Sequence, residues 1–186
     1  AVNTFSAAVV EGNSAAANAG SLVYEVMAAP YTACSTFISQ NYGAHNKERI
    51  QKAYRVSLVY SFGVGAVLGL ALMFFGGGFL RIFTPDPEVI AAGMEKLHIM
   101  GWSYAFSAFM DNSLAASRGL GKSAVPVAIV ILGSCVFRVI WVYTIFAHFH
   151  TIPSLYLLYI FSWTITAAAE ILYFIRCCRR LRIAQA

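Results

Sequence analysis

Five stretches of this chain are long and apolar enough to cross a lipid bilayer as helices. A spanning helix needs about 20 mostly apolar residues, because its backbone polar groups find no water there and must bond within the helix. The spans predicted from these stretches cover about residues 15–41, 53–83, 92–118, 123–148 and 153–177. The chain is therefore predicted to be an all-α, polytopic membrane helix bundle, with residues 1–14 leading into the first span and residues 178–186 forming a tail.

The composition excludes several classes of protein. Apolar residues make up 59% of the chain and charged residues only 11%, whereas soluble domains carry roughly 25% charged residues. The 13 Lys and Arg residues gather at the ends of the apolar stretches instead of forming a basic groove. A water-soluble enzyme, a disordered tail and a nucleic-acid-binding module are therefore excluded, and the expected surroundings are a lipid bilayer.

The basic residues between the spans predict how the chain is oriented. Ten lie on one side of the bilayer, against two on the other side and one inside the fourth span. By the positive-inside rule the side with ten faces the cytoplasm, so the C-terminus is predicted to be cytoplasmic and residue 1 extracytoplasmic. Because Ala1 is preceded by no methionine, signal peptide or apolar segment, we expect at least one further span upstream. The ten are Lys47, Arg49, Lys52, Arg55, Arg118, Lys122, Arg176, Arg179, Arg180 and Arg182.

Four charged side chains lie inside the predicted spans, away from their ends: Glu25, Asp111, Arg138 and Glu170. Each costs roughly 2.5–3.5 kcal/mol at the bilayer centre, so each should face another helix or a wet cavity. Two interpretations stay open for the deeper acids. Arg138 forms a structural ion pair with Asp111 or Glu170, or one of these carboxylates binds and releases a proton or a sodium ion. Glu25, nearer the outer side, either lines an outward-facing cavity or extends to the interface.

Glycines in the second predicted span indicate where helices pack closely. Gly63, Gly65 and Gly69 all lie within it, and glycine lets two helix backbones approach each other inside a membrane. The sequence therefore predicts close helix contacts along this span.

Five segments form an ordered set of motifs over nearly the whole chain. SQNYGAHNKERI (residues 39–50) is similar to a Q-N-x-G-A-x-x-x-E-R-I element, and FMDNSLAASRGLGKSAVP (109–126) contains an R-G-x-G-x-S-x-x-P loop. RIFTPDPEVI (81–90) resembles an outer turn, while GSCVFRVIW (133–141) and LYLLYIFSWTITA (155–167) fit the last two spans. In their order and spacing these segments resemble the multidrug and toxic compound extrusion (MATE) transporters.

The resemblance implies twelve spans in two six-helix lobes related by an internal pseudo-repeat. Residues 15–180 would then supply five of the six helices of the C-terminal lobe, and the N-terminal lobe of the same chain would be their missing partner. In some members an acid of the tenth span helps bind the coupling ion, and Asp111 is the only acid in the apolar stretch 97–117 of the corresponding helix. The Gln40 to Ala44 element is interpreted as a turn that tightens the cytoplasmic loop. The residues matching the loop motifs are Gln40, Asn41, Gly43, Ala44, Arg118, Gly119 and Gly121.

The resemblance further implies a secondary active antiporter of the cell membrane, not an enzyme. Such a protein exports organic cations, drugs or metabolites in exchange for protons or sodium ions by alternating access. Its expected partners are a small-molecule, often cationic substrate and the lipid bilayer, with no nucleic acid, no metal site and no cofactor besides the coupling ion. The alternative in the same superfamily is a flippase for lipid-linked precursors or polysaccharides, for which Arg138 is the only intramembrane cation.

Overall fold

The computed structural model describes residues 2–181, so Ala1, Arg182 and the rest of the predicted tail lie outside the described part. Six α-helices follow a short 3-10 turn at Val2–Thr4. The all-helical prediction is confirmed for these residues. The helices are α1 (Ala7–Gly43), α2 (Lys47–Leu80), α3 (Pro87–Met100), α4 (Ser103–Gly119), α5 (Ala124–Phe149, with π-helical stretches at Ile131–Val136 and Val142–Phe146) and α6 (Ile152–Arg180).

Three of these helices, α2, α5 and α6, are long and apolar enough to cross a membrane by length and composition. α1 is not among them, although it has 37 residues and begins at Ala7, earlier than the predicted span. The third predicted span, at about 92–118, is divided between α3 and α4 by a two-residue turn at Gly101 and Trp102. The helices thus lie at the positions of the predicted spans. The number of membrane crossings, five, stays a prediction.

Helix α4 lies at the centre of the bundle and packs against α1, α2 and α6. Twelve of its 17 residues are buried, and most of them are Ser, Ala or Gly. Small side chains let neighbouring helices approach closely when no water is available to drive their association. On α1, a Cβ at Gly20 would collide with the Tyr104 hydroxyl of α4. The small residues therefore place α4 where side chains from three other helices converge on it.

The two ends of the bundle differ in charge. The connections at residues 44–46 and 120–123 lie together with the end of α6, because Ile38, Ile50, Leu120 and Phe174 share one buried cluster. We call this the basic end, since nine Lys and Arg residues of the described part lie on or near it. They are Lys47, Arg49, Lys52, Arg55, Arg118, Lys122, Arg176, Arg179 and Arg180.

A polar network inside the bundle fixes α2 against α1 and α4. The Ser57 hydroxyl of α2 lies 2.8 Å from the Pro30 carbonyl oxygen of α1 and 2.5 Å from Asn112 Oδ1 of α4. The Asn112 amide donates to the Tyr54 carbonyl oxygen at 3.2 Å, and the Tyr54 hydroxyl lies 2.8 Å from that of Ser113. Ser57 and Asn112 are both buried. The single Ser57 hydrogen serves one of its two acceptor oxygens at a time, and the network gives the buried Ser57 and Asn112 side chains partners that solvent cannot supply.

Asn112→Ala is expected to lower the free energy of unfolding by about 1 kcal/mol, because interhelical hydrogen bonds in membranes average about 0.6 and reach about 1.7 kcal/mol. The measurement is reversible unfolding in mixed micelles titrated with a denaturing detergent. Asn41→Ala is the matched control, since the Asn41 amide donates only to Phe37 O of its own helix, at 2.7 Å. Equal losses in the two variants would contradict the role given to Asn112.

Candidate functional site

Side chains from α1, α4, α5 and α6 meet in the middle of the bundle, in what we call the central cluster. Tyr24 of α1 interacts electrostatically with both Asp111 of α4 and Arg138 of α5, and it lies beside Ser107 of α4. The structure thus brings together two of the four ionisable residues predicted inside the membrane. The members of the central cluster are Tyr24, Tyr104, Ser107, Asp111, Arg138, Tyr159, Ser162 and Trp163.

Four aromatic rings form the wall of the central cluster. Tyr24 contacts Tyr104 edge-on, with ring centroids 5.7 Å apart, and Trp163 at 5.9 Å. Trp163 also lies 6.3 Å from Tyr104 and 6.0 Å from Tyr159. These separations are typical of favourable aromatic pairs. Hydropathy does not distinguish such rings from lipid-facing ones, so this wall could not be predicted from the sequence.

Arg138 is held in place by neutral partners. Its Nε donates to the Ser162 hydroxyl at 3.1 Å, and that hydroxyl donates to the Gly133 carbonyl oxygen at 3.0 Å. Its guanidinium carbon lies 4.4 Å from the centre of the Tyr159 ring, a cation–π distance. Gly133 belongs to the π-helical stretch Ile131–Val136. Such stretches alter the hydrogen-bonding pattern within a helix and recur at functional sites.

The ion pair considered for Arg138 does not form. Within residues 2–181 neither Asp111 nor Glu170 makes a salt bridge with it, because its guanidinium is directed to Ser162 and Tyr159. Asp111 Oδ2 is buried and has no hydrogen-bond partner. The structure therefore does not contain the direct ion pair, and it leaves Asp111 with a buried oxygen that has unused capacity to accept a hydrogen bond or bind a cation.

Glu170 lies apart from the central cluster, two helical turns beyond Trp163 towards the basic end. Its side chain is fully buried, and neither carboxylate oxygen has a hydrogen-bond partner. The cation that acts on it electrostatically is Arg118, at the end of α4. A second unpaired carboxylate thus lies deeper towards the basic end, in different surroundings from Asp111.

Glu25 is exposed on the surface of α1, although its neighbour Tyr24 points into the central cluster. The exposed Leu22 and Val26 flank it on the same helix. Glu25 is therefore not part of the arrangement that contains Asp111.

The first loop motif forms the turn between α1 and α2. The Ala44 amide donates to Gln40 O at 3.0 Å, and the Asn46 amide donates to Asn41 O at 2.9 Å. His45 takes the left-handed conformation, with φ 54°, while Gly43 still belongs to α1 and has open space around it. The motif closes a tight connection, and its glycine is not the residue with positive φ.

The second loop motif ends α4 with a Schellman arrangement. Gly121 has φ +72°, its amide donates to Arg118 O at 2.9 Å, and the Lys122 amide donates to Ser117 O at 3.0 Å. A left-handed glycine with these two bonds is a common helix terminator. Gly119 has a separate role, because a Cβ there would lie 2.6 Å from Ser35 O of α1. Both glycines of the motif are thus explained by backbone geometry.

Comparison with known proteins gives consistent results. The sequence model of the MatE family matches residues 1–144. Over 100 residues the chain is 27% identical to the "Probable multidrug resistance protein NorM" of Thermotoga maritima, covering 54% of this chain and 22% of that protein. A solved structure described as an inward-facing multidrug resistance MATE family transporter of the MOP superfamily superposes with a TM-score of 0.74 at 17% identity. That match covers 95% of this chain and 44% of the transporter, which supports a shared fold.

The chain spans less than half the length of these two proteins. The family match covers most of its residues, and the fold, the loop motifs and the apolar helices agree with it. The protein is a multi-pass membrane protein, and the chain belongs to the MATE family.

Proposed function

We propose that the protein is a secondary active efflux transporter that exports organic cations, drugs or metabolites in exchange for protons or sodium ions. The observation that carries the proposal is the buried, unpartnered Oδ2 of Asp111, which lies near Tyr24 in the middle of a membrane helix bundle. The family match and the similarity to proteins described as multidrug resistance transporters support the direction and the class of substrate.

Asp111 is proposed to bind the coupling ion. A carboxylate is an acceptor without a donor of its own when ionised, so a proton or a hard cation such as sodium satisfies it. A charged, unpaired carboxylate is costly inside a bundle. The empty and the ion-bound protein therefore favour different conformations. An ion can shift a conformational equilibrium only if it binds the two conformations with different affinity.

The central cluster is proposed to form one wall of the substrate cavity. Aromatic faces attract organic cations through their quadrupole. Tyr24 lies near Asp111 and Arg138, Tyr159 lies under the Arg138 guanidinium, and Trp163 packs against both of these rings. Because the substrate and the coupling ion are both cations, occupancy of Asp111 by one would disfavour the other. Exchange then follows from competition near one carboxylate.

The proposed location is the cell membrane, with the basic end in the cytoplasm. The nine basic residues on or near that end support this orientation through the positive-inside rule. A flippase for lipid-linked precursors would need free cations in the cavity to hold phosphate. Arg138 instead donates to Ser162 and stacks on Tyr159, so we favour the antiporter.

The proposal predicts ion-dependent efflux of a fluorescent organic cation. Cells that produce the protein at its natural length should accumulate about threefold less ethidium than control cells. This ratio corresponds to about 0.7 kcal/mol in the free energy of distributing ethidium between cell and medium. Collapse of the proton gradient by a protonophore, or replacement of sodium by choline, should abolish the difference and identify the coupling ion. Accumulation that responds to neither treatment would contradict the proposal.

A further inference from the structure

A cleft at the basic end carries three cations from two helices. Between α2 and α6 it has a volume of about 280 Å³ and is lined by Lys47 and Arg55 of α2 and Arg179 of α6. Within residues 2–181 these three side chains form no ion pair and no side-chain hydrogen bond. Lys47 acts electrostatically on the Cys178 thiol of α6, so it faces across the cleft. Positive charge is therefore concentrated there without an acid of the described part to balance it.

Tyr54 and Phe174 form the floor of the cleft. Their ring centroids lie 4.4 Å apart at an interplanar angle of 31°. Phe174 is buried, and the Tyr54 hydroxyl is bonded to Ser113 at 2.8 Å, which fixes the ring. Both side chains line the cleft together with Ile175. The cleft thus has a rigid apolar base beneath its cations, and the cations are held on helices and not on loops.

Long side chains let the cations of the cleft reach one polar layer of a membrane. Lys47 and Arg55 are two turns apart on one face of α2, or about 12 Å along the axis. This separation exceeds the roughly 5–8 Å thickness of a bilayer interface, and the Lys and Arg side chains extend along the helix to bring both charges into it. Arg179, near the end of α6, comes to this layer from the antiparallel helix.

Apolar side chains continue the surface towards the bilayer centre. Ile175 lines the cleft and is 41% exposed, and Leu172, about one turn beyond it on α6, is 68% exposed. A ligand with an anionic head and apolar chains would find partners for both parts. Free phosphate or a soluble acidic peptide would use only the cations.

We propose that the cleft between α2 and α6 binds the headgroup of an anionic phospholipid, with the phosphodiester between Lys47, Arg55 and Arg179 and the acyl chains along Ile175 and Leu172. Clusters of basic residues in pockets between membrane helices favour such lipids through charge attraction at the membrane surface. This site is separate from the central cluster, so its existence does not depend on the transport proposal.

The test is the retention of lipid by the purified protein at its natural length. The protein is equilibrated in micelles containing equal amounts of dioleoylphosphatidylglycerol and dioleoylphosphatidylcholine, and the bound lipid is counted by native mass spectrometry. The wild-type protein should retain phosphatidylglycerol preferentially. Arg55→Gln/Arg179→Gln should lower that retention about tenfold, since each cation near the surface contributes substantially to anionic-lipid binding.

The matched control is Arg49→Gln/Lys52→Gln, which removes the same charge from the same end of the bundle. Arg49 and Lys52 line a different groove, between α1 and α2, and this variant should stay within about twofold of the wild type. Arg55→Lys/Arg179→Lys keeps both positive charges and should keep most of the retained phosphatidylglycerol. This variant separates the effect of lost charge from the effect of misfolding. Equal losses in both Gln variants, or no loss in either, would overturn the proposal. So would full displacement of the lipid by an excess of inorganic phosphate of about tenfold over lipid, which corresponds to about 1.4 kcal/mol.

Discussion

Asp111→Asn is expected to abolish ion-driven efflux, lowering its initial rate about tenfold or more, since coupling free energies of about 1–3 kcal/mol correspond to about 5–150-fold. Asparagine has nearly the same shape as aspartate, so the packing of α4 against α1 and α6 should persist. It carries no charge and cannot exchange a proton or pair with a sodium ion. The buried Oδ2 that the structure leaves without a partner would no longer distinguish the ion-bound state from the empty state.

The measurement is gradient-driven efflux of ethidium from cells with matched amounts of each variant. Glu25→Gln is the control, because it also removes one carboxylate from a predicted span but at an exposed position on α1. Its efflux should remain within about twofold of the wild type, as for most surface changes. Asp111→Asn with wild-type coupled efflux would remove Asp111 from the mechanism and leave the buried Glu170 as the acid to test.

Gly69→Val is expected to lower the free energy of unfolding by about 3 kcal/mol, at the upper end of the usual cost of overpacking a core. A Cβ at Gly69 would collide with the Gly101 carbonyl oxygen. That oxygen belongs to the backbone at the turn between α3 and α4, so it cannot move aside as a flexible side chain would. The helices would have to separate, and the packing of α2 on α4 would be lost with them.

Gly63→Val provides the matched control in the same helix. Nothing lies within 4 Å of a Cβ placed at Gly63, and the cost should be below about 0.5 kcal/mol, as at a surface position. Unfolding in mixed micelles, followed by helical circular dichroism, compares the two variants. Equal stability of the two would show that α2 does not approach the α3–α4 turn as closely as the structure has it.

The helical architecture could be predicted from the sequence because hydrophobic length is a direct requirement of the bilayer. The break at Gly101 and Trp102 could not, since no proline marks it and both residues have helical dihedral angles. Gly65 and Gly69 form the close contacts predicted for their span, whereas Gly63 faces open space. Their difference depends on which face of α2 meets α4, which composition alone does not determine.

The candidate site was predictable only in part. Asp111 and Arg138 could be predicted from their charge, because a charged side chain inside a span is energetically costly and usually marks a functional site. Their partners were not predictable: Ser162 and Tyr159 are ordinary residues of an apolar helix until the packing of α5 on α6 brings them to Arg138. Likewise Tyr24 gained importance only because α1 and α4 place it beside Ser107 and Asp111.

The most direct test of the central claim is simultaneous measurement of ion and substrate fluxes in liposomes that contain the purified protein at its natural length. An imposed gradient of protons or of sodium should drive ethidium in the opposite direction, with an ion flux that depends on ethidium. In Asp111→Asn both fluxes should fall together. Ethidium movement at the same rate with and without either gradient, and unchanged in Asp111→Asn, would contradict ion-coupled antiport through this site.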